Sequence, residues 1–562
     1  MQQYSDLEKA ALEVFVTSAE DPIYACRADL PPEVFGAFGS FFSRNPKDLR
    51  GHLFDAIHGR IKGHKIDDES AAQENLMKLA GGEFLSPAEA LRSGVSKSQA
   101  FFREWYGKYS HKSIANTVWI PFVGTQVSQL FARQLAFDQL AFFIEQSTRY
   151  VKFDVENLHM DAAIMKSSHR DLYIGTLQEA ADAYQRFTDL AADHHAKEWP
   201  FDRWLRSKEG QDDPIAKAED KSQRRAYRRE LKAMAFDVAR LLLPQAVKTN
   251  IAWILDARST EWDIAAWKGH PLTEIRRSAE LIEKAGGAIA PSLLKYTEEN
   301  PYYGEQYRNF DGALFADLPA ECMKKGVDVI SYDPDALDKS LAMLLSRNNR
   351  SADVSRLLGF VKDKLNFDDK IEILRTVTKK RGRHDEWVDV EEAFDCMSVT
   401  VQFRSDIGAM RDLRRHQKWD RNEGIYTLDN GFYLPDVIRE MGAEAVSTYE
   451  EVMGRTFDAE QIIRKDFPHA AQYLVPMAAM HSITMRAGLD QFQYFVATRT
   501  TPQGHFSYRE DAYNLATAVC KAHPWLLGLK EFPEGKGIDE VYENAPLKGI
   551  LRPYIGETGL HT

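Results

Sequence analysis

Residues Arg404–Arg421 read RSDIGAMRDLRRHQKWDR and directly follow Cys396–Phe403, CMSVTVQF. The CMSVTVQF run alternates and is rich in β-branched side chains, which predicts a half-buried strand. Judged by charge alone, the basic stretch after it is most often a solvated helix face. The pair Arg415-His416 near its end favours a binding role instead, because guanidinium groups are bidentate donors for phosphate.

This order of a strand and then an Arg-containing stretch has a counterpart earlier in the chain. Residues Thr117–Phe122, TVWIPF, precede the apolar run QLFARQLAFDQLAFF. Four further pairs keep the same order: SHKS with GRHD, LLLP with YLVP, DARS with TMRAG, and GHPLTEIR with PQGHFSYR. Chance does not readily give five such pairs, so the sequence predicts a tandem duplication. The first copy is expected over residues 1–310, with a helical insertion at about 200–232, and the second over 311–562.

The spacing of apolar residues predicts a mostly helical chain with a few short strands. Helices are expected over residues 6–16, 124–147, 222–245, 274–286, 337–346, 352–376 and 509–523. Strands are expected at Thr117–Phe122, Val327–Tyr332 and Cys396–Phe403. The predicted fold class is therefore α+β, in which small sheets pack with long helices in each copy.

Composition excludes several classes of protein. The 562 residues include 72 Lys+Arg and 84 Asp+Glu, and the net charge of −12 disfavours broad binding to nucleic acid, although a local basic pocket could still hold a small anion. The four cysteines form no CxxC pair, which predicts no metal centre and a reducing, cytoplasmic location. No uncharged apolar run is long enough for a membrane span.

Two more segments carry candidate binding groups. In EQSTRY, Glu145–Tyr150, a serine and an arginine two residues apart could grip a phosphate or a pyrimidine edge, although a polar helix end often has this composition. In RTTPQGHFSYR, a turn at Pro502 and Gly504 would place Arg499, His505 and Arg509 close together. An ordinary connection between helices explains the proline and the glycine but not three cationic side chains.

These residues resemble the flavin-dependent thymidylate synthases, the ThyX family, in a long two-copy form. The family hallmark is RQ-x-x-RHR-x-x-S-x-NEQS-x-RY, and here it is divided between the copies. The first half of the chain keeps Arg133-Gln134 and EQSTRY but has Phe137-Asp138-Gln139 in place of RHR. The second half keeps Arg415-His416 but ends in Asn422-Glu423-Gly424. Each copy thus retains what the other lacks.

The resemblance implies an enzyme that binds FAD and methylates dUMP with methylenetetrahydrofolate and NADPH. Family members are homotetramers with sites shared between subunits, so a homodimer of two-copy chains would imitate them. The implied catalytic residues are Arg415, His416 and Arg509. The implied dUMP-binding residues are Glu145, Gln146, Ser147, Arg149 and Arg509, and the implied FAD-binding residues are His384, Arg415, His416, Arg499 and His505.

Departures from the hallmark leave alternatives open. Gln417 replaces the second arginine of RHR, Asp412 replaces the preceding glutamine, and Asp420 replaces the following serine. These changes allow a related flavoenzyme acting on another nucleotide, or a catalytically decayed nucleotide-binding scaffold. The mirror-image site, which pairs Phe137-Asp138 with Asn422-Glu423-Gly424, lacks cations and is expected to be dead or repurposed.

Overall fold

The computed structural model describes residues 4–21, 24–27, 29–41, 49–58, 69–82, 91–108, 112–149, 153, 157–211, 213–308, 322–347, 353–381, 390 and 392–554. The GRHD turn with His384 lies outside these residues, as does the expected copy boundary near residue 310. No helix among the described residues combines the length and apolar character of a membrane span. In the same residues, no group of three or more His, Cys, Asp or Glu side chains is arranged to hold a metal ion.

Helices dominate the described chain. Helices α1–α22 are Asp6–Leu12, Pro32–Phe41, Leu49–Ile57, Glu69–Ala80, Arg92–Phe102, Gln129–Ala136, Arg170–Glu198, Phe201–Gly210, Asp220–Ala239, Ala257–Lys268, Thr273–Ile289, Pro301–Arg308, Ala336–Ser346, Val354–Lys364, Phe367–Thr378, Glu392–Asp395, Ile407–Leu413, Asp436–Glu440, Ala443–Arg464, Leu489–Arg499, Phe506–Ala522 and Ile538–Val541. Strands β1–β7 are Trp119–Ser128, Phe142–Glu145, Lys248–Asp256, Gly326–Tyr332, Ser398–Asp406, Asp420–Glu423 and Met480–Gly488. They form a three-stranded sheet of order β1-β3-β2 and a four-stranded sheet of order β4-β5-β7-β6. This composition confirms the α+β prediction.

The chain forms two compact units. The first comprises Met1–Gly124, Leu140–Ile144 and Ile251–Ala313. Its core includes the buried carboxylate of Glu261, which accepts hydrogen bonds from the Tyr106 hydroxyl at 2.7 Å and from the Lys295 backbone N–H at 3.0 Å. A buried carboxylate needs such partners to offset its lost hydration.

The second unit comprises Thr125–Gln139, Glu145–Asn250 and Leu314–Thr562, and it contains the four-stranded sheet. Strand β5 pairs antiparallel with β7 over its whole length, from Ser398 opposite Gly488 to Asp406 opposite Met480. Alternate residues of β5 are fully buried, as its sequence pattern predicts, and helix α21 packs against β4 and β5. Asp406 ends the strand and caps α17, because its carboxylate accepts from the Ala409 N–H at 2.8 Å.

The duplication is visible in backbone hydrogen bonds within this second unit. The LLLP and YLVP segments, which the sequence analysis matched, lie against each other with Pro244 opposite Pro476. Their bonds are reciprocal: Gln245 N to Val475 O at 3.0 Å, Ala246 N to Tyr473 O at 2.9 Å, Met477 N to Leu243 O at 2.9 Å and Ala478 N to Leu241 O at 2.8 Å. An exchange of this kind is the pattern of a local two-fold relation between two equivalent segments.

A second set of bonds repeats the same relation. The Tyr173 hydroxyl donates to the His159 carbonyl at 3.1 Å, and the Tyr449 hydroxyl donates to the Tyr433 carbonyl at 3.0 Å. His159 N in turn donates to Ala246 O, and Tyr433 N donates to Ala478 O, both at 2.8 Å. Helices α7 and α19, which carry the two tyrosines, are therefore equivalent elements of the two copies.

Four predicted helices are wrong in their extent. The helix expected over 6–16 ends at Leu12, the one expected over 222–245 ends at Ala239, and the other two are divided. Residues 124–147 are divided among β1, α6 and β2, because the Ser128 side chain caps a new helix by accepting from Phe131 N–H at 3.2 Å. Residues 352–376 form two helices, α14 and α15, because Asn366 and Asp369 make a capping box that starts the second. The predicted strand Val327–Tyr332 is confirmed as part of β4, and Cys396–Phe403 largely coincides with β5.

Candidate functional site

An arginine cluster lies within the second unit and draws on both halves of the chain. The cluster is defined here as Arg149, Arg240, Arg411, Arg415 and Arg499, together with the carboxylates Glu145, Asp237 and Asp412. Strand β2 ends at Glu145, and the turn after it carries Arg149. Helix α9 carries Asp237, and Arg240 directly follows its last residue. From the second half, α17 and the turn after it supply Arg411, Asp412 and Arg415, while α20 ends at Arg499.

Arg149 is the most tightly held member of the cluster. Its Nε and Nη2 donate to the two carboxylate oxygens of Asp237 at 2.8 and 3.0 Å. Nη2 also donates to the Gln503 carbonyl at 2.9 Å, and Nη1 donates to the Tyr508 hydroxyl at 3.3 Å. Burial lowers the pKa of the guanidinium, but the Asp237 carboxylate more than offsets this, and the net pKa is raised. Arg149 is therefore a fixed positive charge.

Asp412 lies between the arginines of the two halves. Its Oδ2 is 3.3 Å from Arg240 Nη1, and its Oδ1 is 3.9 Å from Arg415 Nε. Burial raises the pKa of this carboxyl. The positive charges of four arginines outweigh that effect, and the net pKa is lowered; these are Arg240, Arg415, Arg499 and Arg149. Asp412 is consequently ionised at neutral pH and is an internal counter-ion of the cluster.

Arg240 and Asp237 were not singled out from the sequence. Arg240 is only 1% exposed and donates to Thr148 Oγ1 and the Gly408 carbonyl, both at 3.3 Å. The available signal was the duplication, since Arg240 comes just before LLLP and the matching position before YLVP is Gln472. A cation at this position in one copy and not in the other indicates that only one of the two pseudo-equivalent sites retains it.

Arg415 is the exposed arginine at the edge of the cluster. Its side chain is 41% exposed, and the contact to Asp412 at 3.9 Å is long for an ion pair. Its donors therefore face solvent and can meet an anionic ligand with little rearrangement. This placement agrees with the predicted role of Arg415, which stays a prediction.

His416 is buried beside Arg499. The Arg499 Nε donates to His416 Nε2 at 2.8 Å, so Nε2 is the acceptor and the ring proton resides on Nδ1. Burial, with further contributions from Arg499 and Arg421, holds the pKa of His416 well below 6.5. The ring also lies 4.5 Å from the Phe495 ring, centroid to centroid. A neutral imidazole of this kind can donate one hydrogen bond and does not act as an acid at neutral pH.

His505 and Arg509 lie at the start of α21. His505 is fully buried, and its Nδ1 accepts from the Ser507 N–H at 3.2 Å, which caps the helix. Its Nε2 lies 2.9 Å from the Asp237 carbonyl oxygen, to which it donates. The structure thus uses both ring nitrogens of His505 to position Asp237 and α21, and the FAD-binding role stays a prediction. Arg509 is buried one turn further along α21. Its predicted roles in catalysis and in dUMP binding stay predictions.

Glu145 and Gln146 have structural partners in the same unit. Glu145 forms an ion pair with Arg411 Nη2, and Arg411 Nη1 donates to Thr148 Oγ1 at 3.0 Å. Gln146 Oε1 accepts from Asn250 at 3.3 Å, and Ser147 Oγ accepts from the Arg149 N–H at 3.2 Å. These bonds shape the turn that carries Arg149.

A reciprocal ion pair joins the equivalent residues of the other copy. Arg133 Nε is 3.6 Å from Glu423 Oε1, just as Arg411 pairs with Glu145. Glu423 is also held by Arg414 through two bonds of 2.6 Å and lies 3.2 Å from His481 Nε2. The expectation that the mirror-image site lacks cations is therefore corrected, because arginines are present. Arg133 and Arg414 are mostly buried and both pair with Glu423. That this site is dead or repurposed stays a prediction.

The Arg149 position of the mirror-image site carries no cation. Its equivalent in the second half is Thr427, whose hydroxyl accepts from Arg464 at 2.9 Å. Gln472, the equivalent of Arg240, accepts through Oε1 from the Tyr426 N–H at 2.9 Å. The arginine cluster therefore has Arg149, Arg240 and Arg415 at positions where the mirror-image site has Thr427, Gln472 and Phe137.

A cavity of about 400 Å³ opens beside Asp237 in the same unit. Its lining includes the carboxylates Glu198, Asp436, Glu440 and Glu510. Burial raises the pKa of Glu510, Lys325 opposes this, and Asp406 and Asp436 raise it further. An acidic lining repels phosphate, so this cavity does not compete with the arginine cluster as a nucleotide site.

The buried histidines His416 and His505 make the stability of the fold depend on pH. His416 and His505 both have pKa values well below 6.5, so the folded protein keeps them neutral where the unfolded chain protonates them. Their contribution is complete above about pH 6.5 and is lost as the pH falls toward the folded pKa. His416→Gln is expected to make the free energy of unfolding fall less steeply between about pH 6.5 and 5. Urea unfolding at a series of pH values measures this slope, and an unchanged slope would show that His416 does not stay neutral.

The chain is similar to proteins from several organisms. A UPF0159 protein of Chlamydia muridarum (strain MoPn / Nigg) is 25% identical over 543 residues, which cover 93% of this chain and 94% of that protein. A flavin-dependent thymidylate synthase of Clostridium tetani (strain Massachusetts / E88) is 22% identical over 202 residues, covering 34% of this chain and 66% of that protein. Among solved structures, the UMP/dUMP methylase PolB from Streptomyces cacaoi bound with 5-Br dUMP is 16% identical and covers 36% of this chain and 92% of its own, with a TM-score of 0.26.

The model of the thymidylate synthase complementing protein family, Thy1, matches two separate segments of the chain. These are residues 66–292 and 330–525, one in each half, and together they make up most of the sequence. Two matches in one chain are what a tandem duplication produces, in agreement with the reciprocal backbone bonds. The chain belongs to the thymidylate synthase complementing protein family, in a duplicated form.

Proposed function

We propose that this protein is an FAD-dependent thymidylate synthase that methylates dUMP to dTMP with methylenetetrahydrofolate and NADPH. The observation that carries the proposal is the arginine cluster, in which cations from both copies surround a turn of the EQSTRY segment. Neither copy supplies all of these cations. The flavin-dependent relative from Clostridium tetani and the family match support the same class of reaction.

The nucleotide phosphate would bind at the open side of the cluster. Arg415 presents exposed donors there, and Arg499 lies beside it through His416. Arg149 and Arg240 contribute their charge from fixed, buried positions. A phosphate monoester carries about −1.5 to −2 charges at neutral pH, so several converging guanidinium groups are needed to balance it.

The residues around His416 fit a flavin nucleotide by their chemistry. The half-buried Tyr494 ring lies 5.7 Å from the His416 ring, centroid to centroid, and aromatic side chains of this kind are suited to contact a flavin ring. When bound, FAD would supply the hydride chemistry that no side chain provides. The chain's own contribution is to hold the two ligands in register, and proximity of this kind is worth up to roughly 7–11 kcal/mol.

A thiol nucleophile is not needed in this proposal. Cys520 is buried within the core of the second unit, and burial raises the pKa of its thiol, which disfavours the reactive thiolate. None of the groups that contact the arginine cluster through the bonds given above is a cysteine. The arrangement therefore favours chemistry that relies on charge and positioning.

The test is direct. Purified protein should be yellow or become yellow with added FAD, its absorbance should shift on addition of dUMP, and it should form dTMP when methylenetetrahydrofolate and NADPH are supplied. A protein that stays colourless and takes up no FAD would overturn the proposal. Measurement of its mass in solution would show whether two chains assemble, as expected if a homodimer supplies four family domains.

A second candidate is a related flavoenzyme that acts on another pyrimidine nucleotide. Asp412 favours it, because a buried, ionised carboxylate faces the cluster where the family pattern has glutamine. This candidate predicts flavin binding without methylation of dUMP, and a panel of pyrimidine nucleotides as substrates would separate the two.

A further inference from the structure

We propose that Asp412 is a specificity-determining residue that sets the net charge of the arginine cluster to match a nucleoside monophosphate and thereby excludes nucleoside triphosphates. The inference rests on the proposed function in that it takes the cluster as the nucleotide site. It goes further because it assigns a specific role to one residue. The carboxylate of Asp412, which replaces the family's glutamine, would distinguish monophosphates from triphosphates.

The first step is the position of Asp412. Its two carboxylate oxygens face different arginines, Arg240 at 3.3 Å and Arg415 at 3.9 Å. Arg240 is buried, whereas the Arg415 side chain is 41% exposed. Asp412 thus stands between the closed side of the cluster and the side that a ligand would approach.

The second step is the charge of the cluster. Its five arginines are opposed by three carboxylates, Glu145, Asp237 and Asp412, because Glu145 pairs with Arg411 and Asp237 with Arg149. His416 and His505 add no charge, since their pKa values lie well below neutrality. The excess of about two positive charges is close in magnitude to the negative charge of a phosphate monoester near pH 7.

The third step is the effect on longer phosphate chains. A triphosphate brings more negative charge than the cluster balances, and the remainder would lie near the ionised Asp412. Repulsion between like charges in a partly desolvated site is strong, because the effective dielectric is well below that of water. If Asp412 were neutral, the cluster would have one more uncompensated positive charge and would attract the triphosphate more than the monophosphate.

The test compares Asp412→Asn with the native protein. Isothermal titration with inorganic phosphate, dUMP and dUTP should show tighter binding of all three to the variant, on the order of tenfold for dUMP and more for dUTP. The salt dependence of dUMP binding should steepen, because one more positive charge is exposed to the ligand. A role that is only structural, holding Arg240 in place, would instead weaken binding.

The matched control is Asp429→Asn. It removes the same charge from a carboxylate that pairs with Arg464 and forms a side-chain hydrogen bond with Thr427, outside the cluster. Affinities should stay within about twofold of the native protein. If Asp429→Asn reproduced the changes, or if Asp412→Asn left the preference between dUMP and dUTP unaltered, the proposal would be overturned.

The experiment distinguishes failure of this inference from a misfolded variant and from failure of the proposed function. Asp412→Gln restores the family's residue and repeats the test should Asp412→Asn fold poorly. A native protein that binds dUMP, prefers it to dUTP and loses this preference on Asp412→Asn, yet forms no dTMP, would retain this inference and overturn the proposed function. If the native protein bound none of the three anions, the inference itself would be overturned.

Discussion

Asp237→Ala is expected to lower the free energy of unfolding by about 3–5 kcal/mol, because it leaves the Arg149 guanidinium buried without its carboxylate. The two side chains are 10% and 4% exposed, and they share two hydrogen bonds of 2.8 and 3.0 Å. The Gln503 carbonyl and the Tyr508 hydroxyl also accept hydrogen bonds from Arg149, but they are neutral and do not replace the charge of Asp237. The loss should also displace Arg149 and weaken nucleotide binding.

Urea unfolding of the native protein and the variant measures the change. The control is Asp220→Ala, which removes an aspartate that pairs with Arg224 one helical turn away at the surface. Side chains there are 53% and 67% exposed, and exposed pairs contribute at most about 1 kcal/mol. Equal effects of the two substitutions would contradict the assignment of the Arg149–Asp237 pair as a buried, paired charge.

Arg415→Ala is expected to reduce kcat/KM for dUMP methylation by about 100-fold or more, with a stability change within about 0.5 kcal/mol. Hydrogen bonds to charged groups contribute roughly 1.5–3 kcal/mol each, and a bidentate contact to phosphate contains two. The structural cost is small because Arg415 has a single long ion pair, and its side chain is largely solvated. Steady-state kinetics and thermal unfolding measure the two quantities separately.

The matched control for this substitution is Arg439→Ala. Arg439 is also exposed and has an ion pair at 3.6 Å with the aspartate three residues earlier, as Arg415 has with Asp412. It contacts no member of the cluster through the bonds described. Loss of activity in both variants, or in neither, would count against a ligand-binding role for Arg415.

Much of the fold could be predicted because the duplication leaves local signals. The LLLP and YLVP segments were recognisable as a pair from their letters and order, and in the structure they bond to each other around Pro244 and Pro476. Strand β5 was predictable because alternation reports a half-buried strand whatever its neighbours are. The prediction of one helix over 124–147 was wrong because the apolar residues of β2 also fit helical spacing. The start of α6 is marked by the cap at Ser128, which the spacing of apolar residues does not reveal.

The site was predictable in part. The complementary halves of the hallmark pointed to Arg149 and Arg415, which the structure places around the same carboxylate, Asp412. Asp237 and Arg240 were missed because their importance comes from pairing across the fold, which no local pattern encodes. Charge alone also favoured a solvated helix over Arg404–Arg421, whereas α17 is mostly buried and its polar side chains are paired. Burial of charge depends on partners far away in sequence, and for that reason composition could not reveal it.

The central claim is that each chain forms one nucleotide site from cations of both copies, while the pseudo-equivalent place around Glu423 is closed by internal ion pairs. Titration of the purified protein with dUMP, followed by calorimetry and by flavin absorbance, measures the number of sites per chain. The account predicts one equivalent of dUMP per chain, lost on Arg415→Ala. Two equivalents per chain, or one equivalent that survives this substitution unchanged, would contradict it.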